Sequence, residues 1–164
     1  MDFPLSEEEH RPRWKSRVAA WVVCACAFAG TTPAKEATVR YPPRTVILLV
    51  APWCAPCYGE LAQLDEMAVA AEPHDLRVLL VDQGPRARAM MSRVSASDRW
   101  EPIGEEGRKL RAQLMGLTQG LPFSVITDGE GRICAHQKGG LNPGRVRAMV
   151  ERCEAATMGR TKLN

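Results

Sequence analysis

Cys54 and Cys57, in the stretch W-C-A-P-C at residues 53–57, are the side chains of this chain best suited to chemistry. Cysteines separated by two residues at a helix start can form a disulfide with each other without straining the backbone. The first thiol then faces unpaired N–H groups of the first helical turn, and these groups and the helix dipole stabilise its thiolate. The spacing therefore predicts a redox-active dithiol.

Two cysteines at this spacing also form half of many zinc sites. The second half is missing, because no other C-x-x-C occurs in the sequence. The remaining cysteines beyond residue 29 are Cys134 and Cys153, and the histidines His74 and His136 have no partner at ligand spacing. Redox chemistry is therefore the favoured interpretation, with metal binding as the alternative.

A strand before the two cysteines and a helix after them are predicted to position the thiols. Residues 45–50 contain the apolar run V-I-L-L-V, and its lack of alternation indicates a strand buried on both faces. Pro56 fits a helix start, where proline is favoured and needs no N–H partner. From Cys57 to the residue before Pro73, apolar residues follow helical spacing at Leu61, Leu64, Ala68 and Ala71.

The next segment continues the same alternation of strand and helix. Residues 77–82 predict a second buried strand, which completes a βαβ unit with a right-handed parallel crossover. The long connection at residues 84–120 is expected to contain structure of its own. Its two helical stripes are Ala87, Met90, Met91 and Val94, then Leu110, Leu114 and Leu117. Between them, we expect Trp100 to pack onto the core rather than to grip a partner.

The last elements predicted are a hairpin and a helix. Strands at residues 123–127 and 132–137 flank the turn D-G-E-G at residues 128–131, which is a strong hairpin signal. The final helix is predicted to start at Asn142, a good N-cap, with Pro143 at its first position.

The stretch W-C-A-P-C-Y-G-E at residues 53–60 resembles the W-C-x-P-C-x-x-E signature of the TlpA/ResA-like thiol–disulfide oxidoreductases. A second match is G-L-P-F at residues 120–123, which resembles the cis-proline loop of that family. The following strand and the turn at residues 128–131 resemble the family's next strand and hairpin. Together these motifs align residues 36–158 with the family. The resemblance implies an α/β, thioredoxin-like fold, with a central mixed sheet of about four to five strands flanked by helices.

Three positions depart from the pattern of these proteins. Leu49-Val50 occupies the place where the family usually has an aromatic pair, and Ala62 stands where proline is usual. Thioredoxins proper have a buried aspartate six residues before the first cysteine, and this chain has Leu48 there. An acid–base group near the thiols must therefore come from elsewhere.

Cys54 is predicted to be the nucleophile, because it precedes the helix and is the more exposed of the two cysteines. Its thiolate attacks a sulfur of the substrate disulfide, and Cys57 resolves the mixed disulfide. The resemblance implies that Pro122 is a cis-proline beside the disulfide and that Leu121 offers backbone hydrogen bonds to an extended substrate segment. Trp53 and Pro56 complete the expected substrate-binding surface.

Glu60 is the third catalytic candidate, one helical turn after Cys57. A partly buried carboxylate there would have a raised pKa, and its charge would oppose a second negative charge on sulfur. The alternative is an ordinary exposed helix charge.

Cys134 and Cys153 fall on a predicted strand and on the apolar face of the last helix. We expect them to be buried free thiols, and a second structural disulfide is the alternative. His74 and His136 are expected to be structural or exposed to solvent.

With 164 residues and 45% hydrophobic content, the chain is long enough for one globular core and short for two. Its 22 basic and 19 acidic residues are spread along the chain and give a net charge of +3. This charge pattern does not predict a nucleic-acid-binding face.

Residues 1–29 have the layout of a secretory signal peptide: a polar segment ending in basic residues, an apolar run at 18–29 and a final A-F-A. The run is too short to span a bilayer of about 30 Å at about 1.5 Å per residue. A retained membrane anchor is the alternative, because the leading segment is long and carries three glutamates. The pattern V-C-A-C at residues 23–26 is also a poor lipoprotein box.

The predicted domain organisation follows from these segments. Residues 30–44 form a lead-in with a short edge strand at 38–41, residues 45–158 the thioredoxin-like domain, and residues 159–164 a tail.

These observations predict an extracytoplasmic, periplasmic-type thiol–disulfide oxidoreductase that needs no cofactor. The resemblance implies a reductant of particular protein disulfides, such as those of apocytochrome c or metal-site cysteines, with electrons drawn from a membrane thiol carrier. A dithiol oxidase or isomerase is an alternative direction for the same chemistry. The alternative from another class is a metal-handling protein that holds Cu(I) or Zn²⁺ with Cys54 and Cys57.

Overall fold

The central strand of the sheet is β1, Thr45–Val50, which has neighbours on both sides. It pairs in parallel with β2, Asp75–Leu80, and antiparallel with β3, Phe123–Thr127. β3 pairs antiparallel with β4, Ile133–Lys138, so the strand order is β2-β1-β3-β4. The computed structural model describes residues 40–161, and these four strands form the sheet of that part of the chain.

Five α-helices accompany the sheet within residues 40–161. Two connect β1 to β2, two connect β2 to β3, and the last follows β4. In chain order they are α1 Ala55–Leu61, α2 Leu64–Ala71, α3 Pro85–Met91, α4 Gly104–Gly116 and α5 Pro143–Thr161, with a short 3₁₀ turn at Ala96–Asp98.

This order of elements is that of a thioredoxin-like fold. A parallel βαβ unit comes first, and an antiparallel hairpin and a final helix come last. The predicted fold class, an α/β mixed sheet flanked by helices, is confirmed.

The residues of β1 alternate between two hydrophobic clusters, since successive side chains of a strand point to opposite faces. Val46, Leu48 and Val50 belong to the larger cluster, which also contains Cys54 and Cys57. Residues of α2, α3 and α5 complete that cluster, among them Met67, Met90, Met91 and Met149. The smaller cluster on the opposite face contains Ile47 and Leu49 with Leu79, Leu114, Phe123 and Val125. Every residue of β1 is buried, as the uninterrupted apolar run predicts.

The helix predicted after the dithiol differs from the observed one at its start and in its middle. It begins at Ala55 rather than Cys57, because the N–H of Cys57 already donates to the carbonyl of Cys54, at 3.1 Å. It is also divided into α1 and α2, since Gln63 leaves the helical conformation with φ −116° and ψ 17°. Periodicity of apolar residues does not detect such a break, because the buried face continues across it.

The predicted strands are found with small shifts. β1 and β3 have the predicted bounds, β4 is displaced by one residue, and β2 begins and ends two residues earlier than expected. The earlier start of β2 follows from its pairing, because the N–H of Asp75 donates to the carbonyl of Arg44, at 2.8 Å.

Trp100 packs against the smaller cluster, as predicted. The ring of Trp100 makes an edge-on contact with that of Tyr41, with centroids 6.3 Å apart, and the backbone N–H of Trp100 donates to the carbonyl of Val78. Met90 and Met91, which belong to the first predicted helical stripe of the long connection, are buried in the larger cluster.

The predicted signal or anchor segment at residues 1–29 and the V-C-A-C pattern lie outside the described residues. The predicted edge strand at 38–41 lies partly outside them, and Arg40 and Tyr41 are not in a strand. Among residues 40–161, no helix is long and apolar enough to cross a membrane.

Candidate active site

Cys54 and Cys57 form a disulfide at the start of α1, with their Cα atoms 5.4 Å apart. Cys54 is the N-cap residue of α1, and its own N–H donates to the carbonyl of Ala51, at 3.0 Å. No side chain caps the helix at this end. Pro56 has no N–H and the N–H of Cys57 donates to the carbonyl of Cys54, so the positive end of the helix dipole and the N–H of Ala55 are what the start of α1 offers to a Cys54 thiolate.

Burial distinguishes the two cysteines only slightly. Cys54 is 3% exposed and Cys57 is fully buried. The predicted order of exposure holds, but the nucleophile is far less accessible than the sequence suggested. Since α1 begins at Ala55, Pro56 occupies its second position rather than its first, where its missing N–H is equally unneeded.

The surface around the disulfide is apolar. The Trp53 side chain is 63% exposed, and Ala55 and Pro56 are also exposed. A large aromatic side chain that stays open to solvent beside a disulfide provides contact area for a partner segment.

Leu121 and Pro122 lie at the same edge of the sheet as the disulfide. Phe123 pairs with Leu49 in the antiparallel register, so the residue before Phe123 comes next to the end of β1 from which the chain reaches Cys54. The Leu121–Pro122 peptide bond is cis, as the resemblance implies. Among the described residues, no hydrogen bond engages the backbone N–H or carbonyl of Leu121.

Glu60 is buried, with 3% of its surface exposed, and this overturns the alternative of an ordinary surface charge. It lies one turn after Cys57, on the same face of α1. Its Oε1 accepts a hydrogen bond from the backbone N–H of Leu141, with 2.5 Å between the two atoms. Its Oε2 is buried and has no hydrogen-bond partner among the described residues.

Burial raises the pKa of Glu60 to about 7, and the hydrogen bond from Leu141 offsets part of that increase. A carboxyl group removed from water favours its neutral form, because the ionised form loses its hydration. Glu60 can therefore hold or release a proton near neutral pH, one helical turn from a sulfur.

Comparison with known proteins finds no matching family model and no matching curated protein. Among solved structures, the chain is similar to DsbF of MTB in its mixed oxidised and reduced forms, with 20% identity and a TM-score of 0.46, covering 71% of this chain and 82% of that one. It is also similar to a protein assigned as the thiol:disulfide interchange protein DsbE from Chlorobium tepidum, with 19% identity and a TM-score of 0.46, over 70% and 79% of the two chains. StoA from Bacillus subtilis matches with 17% identity and a TM-score of 0.44, over 67% and 84%.

At these identities and TM-scores, no function is transferred from the matched structures to this chain. The resemblance to a family is instead found in the chain itself, in its sequence motifs, its thioredoxin-like topology and the disulfide at the start of α1. They resemble the TlpA/ResA-like thiol–disulfide oxidoreductases.

Two residues near the dithiol were not predicted from the sequence. Leu141 supplies the hydrogen bond to Glu60 from a loop 81 residues away, and no local pattern signals that contact. Ser124 pairs with Leu48, so its side chain lies on the face that carries the dithiol cluster. Its hydroxyl is buried without a hydrogen-bond partner among the described residues. A serine between the apolar residues Phe123 and Val125 of β3 was the available signal.

Cys134 and Cys153 form a second disulfide, with their Cα atoms 4.9 Å apart, so the prediction of two free thiols is wrong. Cys134 lies in β4 and Cys153 in α5, which pack against each other. The sequence placed both residues on apolar faces correctly, but it did not reveal that those faces meet.

The histidines lie apart from the dithiol elements. His74 is buried in the turn between α2 and β2, and its Nδ1 has no hydrogen-bond partner among the described residues. Burial lowers its pKa; Glu154 opposes this effect and Arg44 adds to it. His136 lies exposed in β4, against the ring of Phe123. In the described part of the chain, no group of three or more His, Cys, Asp or Glu side chains is arranged to hold a metal ion.

Proposed function

We propose that this protein is an extracytoplasmic thiol–disulfide oxidoreductase that reduces the disulfides of particular client proteins through Cys54 and Cys57. The observation that carries the proposal is the disulfide at the start of α1, next to the end of β3 where Leu121 and Pro122 lie. A purely structural disulfide has no need of a helix N-terminus at one of its sulfurs, whereas Cys54 is the N-cap residue of α1.

The reaction begins with the reduced protein. The thiolate of Cys54 attacks one sulfur of the client disulfide, a mixed disulfide forms, and the other client sulfur leaves as a thiolate. The thiolate of Cys57 then attacks the sulfur of Cys54 and releases the second client thiolate. Two electrons pass to the client, whose two thiolates take up protons, and the protein is left with the Cys54–Cys57 disulfide.

Glu60 restrains the build-up of negative charge during this sequence. Two thiolates one turn apart, with an ionised carboxylate beside them, would repel each other in a buried environment. A carboxyl group with a pKa near 7 remains partly protonated at neutral pH and can exchange its proton as the thiols react.

Client docking in an extended conformation is supported by the backbone of Leu121. Its N–H and carbonyl have no partner among the described residues, and an extended peptide segment can satisfy both of them. Trp53 and Pro56 supply the adjacent apolar surface.

The location is supported by the signal-like layout of residues 1–29. We infer that a mature form beginning near Gly30 is exported and that a membrane thiol carrier reduces its dithiol. The proposed clients are apocytochrome c or proteins with metal-site cysteines. The intact mass of the exported protein tests this, since retention of residues 1–17 would reject cleavage and favour an anchor.

Trapping of a model client tests the function. Cys57→Ala should accumulate a mixed disulfide with oxidised insulin, because the resolving thiol is gone, whereas Cys54→Ala should not. The same preparations are assayed for bound copper and zinc. Insulin reduction by the wild type without stoichiometric metal supports the proposal. Stoichiometric metal with no reduction would replace it with a metal-handling role, and trapping by Cys54→Ala would reverse the roles of the two cysteines.

A further inference from the structure

Two clefts flank the segment that leads into the dithiol, and they share Pro52 and Arg86. The tryptophan cleft, of about 400 Å³, is lined by Pro52, Trp53, Asp82, Gln83, Pro85 and Arg86. The tyrosine cleft, of about 190 Å³, is lined by Pro52, Tyr58, Arg86, Ala89, Met90 and Arg93. Because Trp53 precedes Cys54 and Tyr58 follows Cys57 directly, a segment held in these clefts lies beside the disulfide.

Arg86 and Arg93 give the clefts an excess of positive charge. Both side chains are exposed, and within residues 40–161 neither guanidinium forms an ion pair with a carboxylate. Other arginines are engaged: Arg132 and Arg160 bind the carboxylate of Asp128.

Asp82 is the acidic side chain that lines these clefts, and it offsets one of the two positive charges, so two arginines and one aspartate leave a net formal charge of +1. Asp82 lines the tryptophan cleft, and its Oδ1 accepts a hydrogen bond from the N–H of Gln83, at 2.7 Å. The tyrosine cleft has no acidic residue in its lining. Guanidinium groups bind carboxylates through paired hydrogen bonds, and they also stack on the faces of aromatic rings.

We propose that the two clefts bind an acidic segment of the client, so that an aspartate or glutamate close to the client's disulfide helps to determine which disulfides are reduced. This inference rests on the proposed function and adds the chemical class of the substrate. In it, Arg86 and Arg93 recognise carboxylates, and Trp53 and Tyr58 contact the adjoining apolar part of the segment.

Three disulfide-bonded peptides that differ only in having two Glu, two Gln or two Lys next to one cysteine test the proposal. The second-order rate constant for their reduction by the full-length reduced protein is measured at low and at high salt. The Glu peptide should react roughly two- to fivefold faster than the Gln peptide for each exposed ion pair formed, and the Lys peptide should be slowest. High salt should diminish these differences.

Substitution of the two arginines tests whether the clefts cause the preference for the Glu peptide. In Arg86→Gln/Arg93→Gln, the ratio of the rate constants for the Glu and Gln peptides should fall towards one. Arg108→Gln is the matched control, since Arg108 is exposed in α4 and lines neither cleft, and it should keep the wild-type ratio.

Binding of the same peptides with serine in place of cysteine separates this inference from the proposed function. If the Glu peptide has a lower Kd than the Gln peptide and Arg86→Gln/Arg93→Gln abolishes that difference, the acidic-segment site is supported. If, in addition, no peptide is reduced, the proposed oxidoreductase function is rejected and the site is not. Equal Kd values and equal rate constants for the Glu and Gln peptides would overturn the site, as would a preference that survives in the double variant.

Discussion

Oε1 of Glu60 lies 2.5 Å from the backbone nitrogen of Leu141, so a carboxyl group one helical turn from the dithiol is anchored to the loop that precedes α5. This hydrogen bond satisfies one carboxyl oxygen, and the other remains buried without a partner in the described part of the chain. The pKa of Glu60 is therefore raised by burial to about 7 despite the hydrogen bond.

The stability of the oxidised protein should depend on the ionisation of Glu60. The pKa of this group rises from about 4.5 in the unfolded chain to about 7 in the folded one, so its contribution to stability is fully present below about pH 4.5. As the pH rises from about 4.5 to about 7, the unfolded chain loses the proton first, and the contribution of Glu60 to the free energy of unfolding should fall by about 3 kcal/mol. Urea unfolding across this range measures the fall.

Two variants identify the group responsible for that slope. Glu60→Gln should flatten the pH dependence, because glutamine does not titrate. Glu66→Gln is the matched control, since Glu66 is exposed in α2 and should leave the slope unchanged. An identical slope in wild type and Glu60→Gln would show that Glu60 ionises normally in the folded protein.

Glu60→Gln should also change the reactivity of Cys54 in the reduced protein. The substitution removes a charge that opposes the thiolate, so the pKa of the Cys54 thiol should fall and its alkylation should be faster. Because the pKa of Glu60 is about 7, the carboxyl is charged mainly above neutrality. The expected difference in alkylation rate therefore lies above about pH 7.

Iodoacetamide reactivity against pH, in wild type, Glu60→Gln and Glu66→Gln, measures this difference. Superimposable curves for wild type and Glu60→Gln would remove Glu60 from the active site.

The disulfide between Cys134 and Cys153 should stabilise the fold without taking part in catalysis. It joins residues 19 positions apart, and closing a loop of that length in the unfolded chain is worth about 3 kcal/mol. Cys134→Ala/Cys153→Ala should therefore unfold at a lower urea concentration but still reduce insulin. If the double variant is as stable as the wild type, Cys134 and Cys153 are not oxidised in solution. If the folded double variant, assayed without denaturant, no longer reduces insulin, this disulfide has a role in the reaction.

Local patterns in the sequence were sufficient to predict most of the fold. The uninterrupted apolar run of β1, the hairpin turn at 128–131 and the N-cap Asn142 all act over a few residues. The side chain of Asn142 accepts a hydrogen bond from the N–H of Arg145, as an N-cap residue should. Cys54, Cys57 and Pro56 were identifiable for the same reason, because their spacing is itself the signal.

Contacts between distant segments could not be predicted in the same way. The disulfide of Cys134 depends on α5 packing beside β4, and the hydrogen bond of Glu60 depends on where the loop at Leu141 lies. Periodicity shows which face of an element is buried, but not which element covers that face. The pairing of Arg86 with Trp53 in one cleft also arises only when α3 folds back beside the dithiol segment.

The reduction potential of the Cys54–Cys57 pair tests the central claim most directly. The full-length protein is equilibrated in thiol–disulfide buffers of defined potential, its free thiols are alkylated, and the masses of the peptide containing both cysteines are quantified. Cys134→Ala/Cys153→Ala, measured alongside, shows that the second disulfide does not contribute. A reductant of client disulfides should have a potential near about −270 mV, and a value near about −120 mV would contradict this account by making the protein an oxidant.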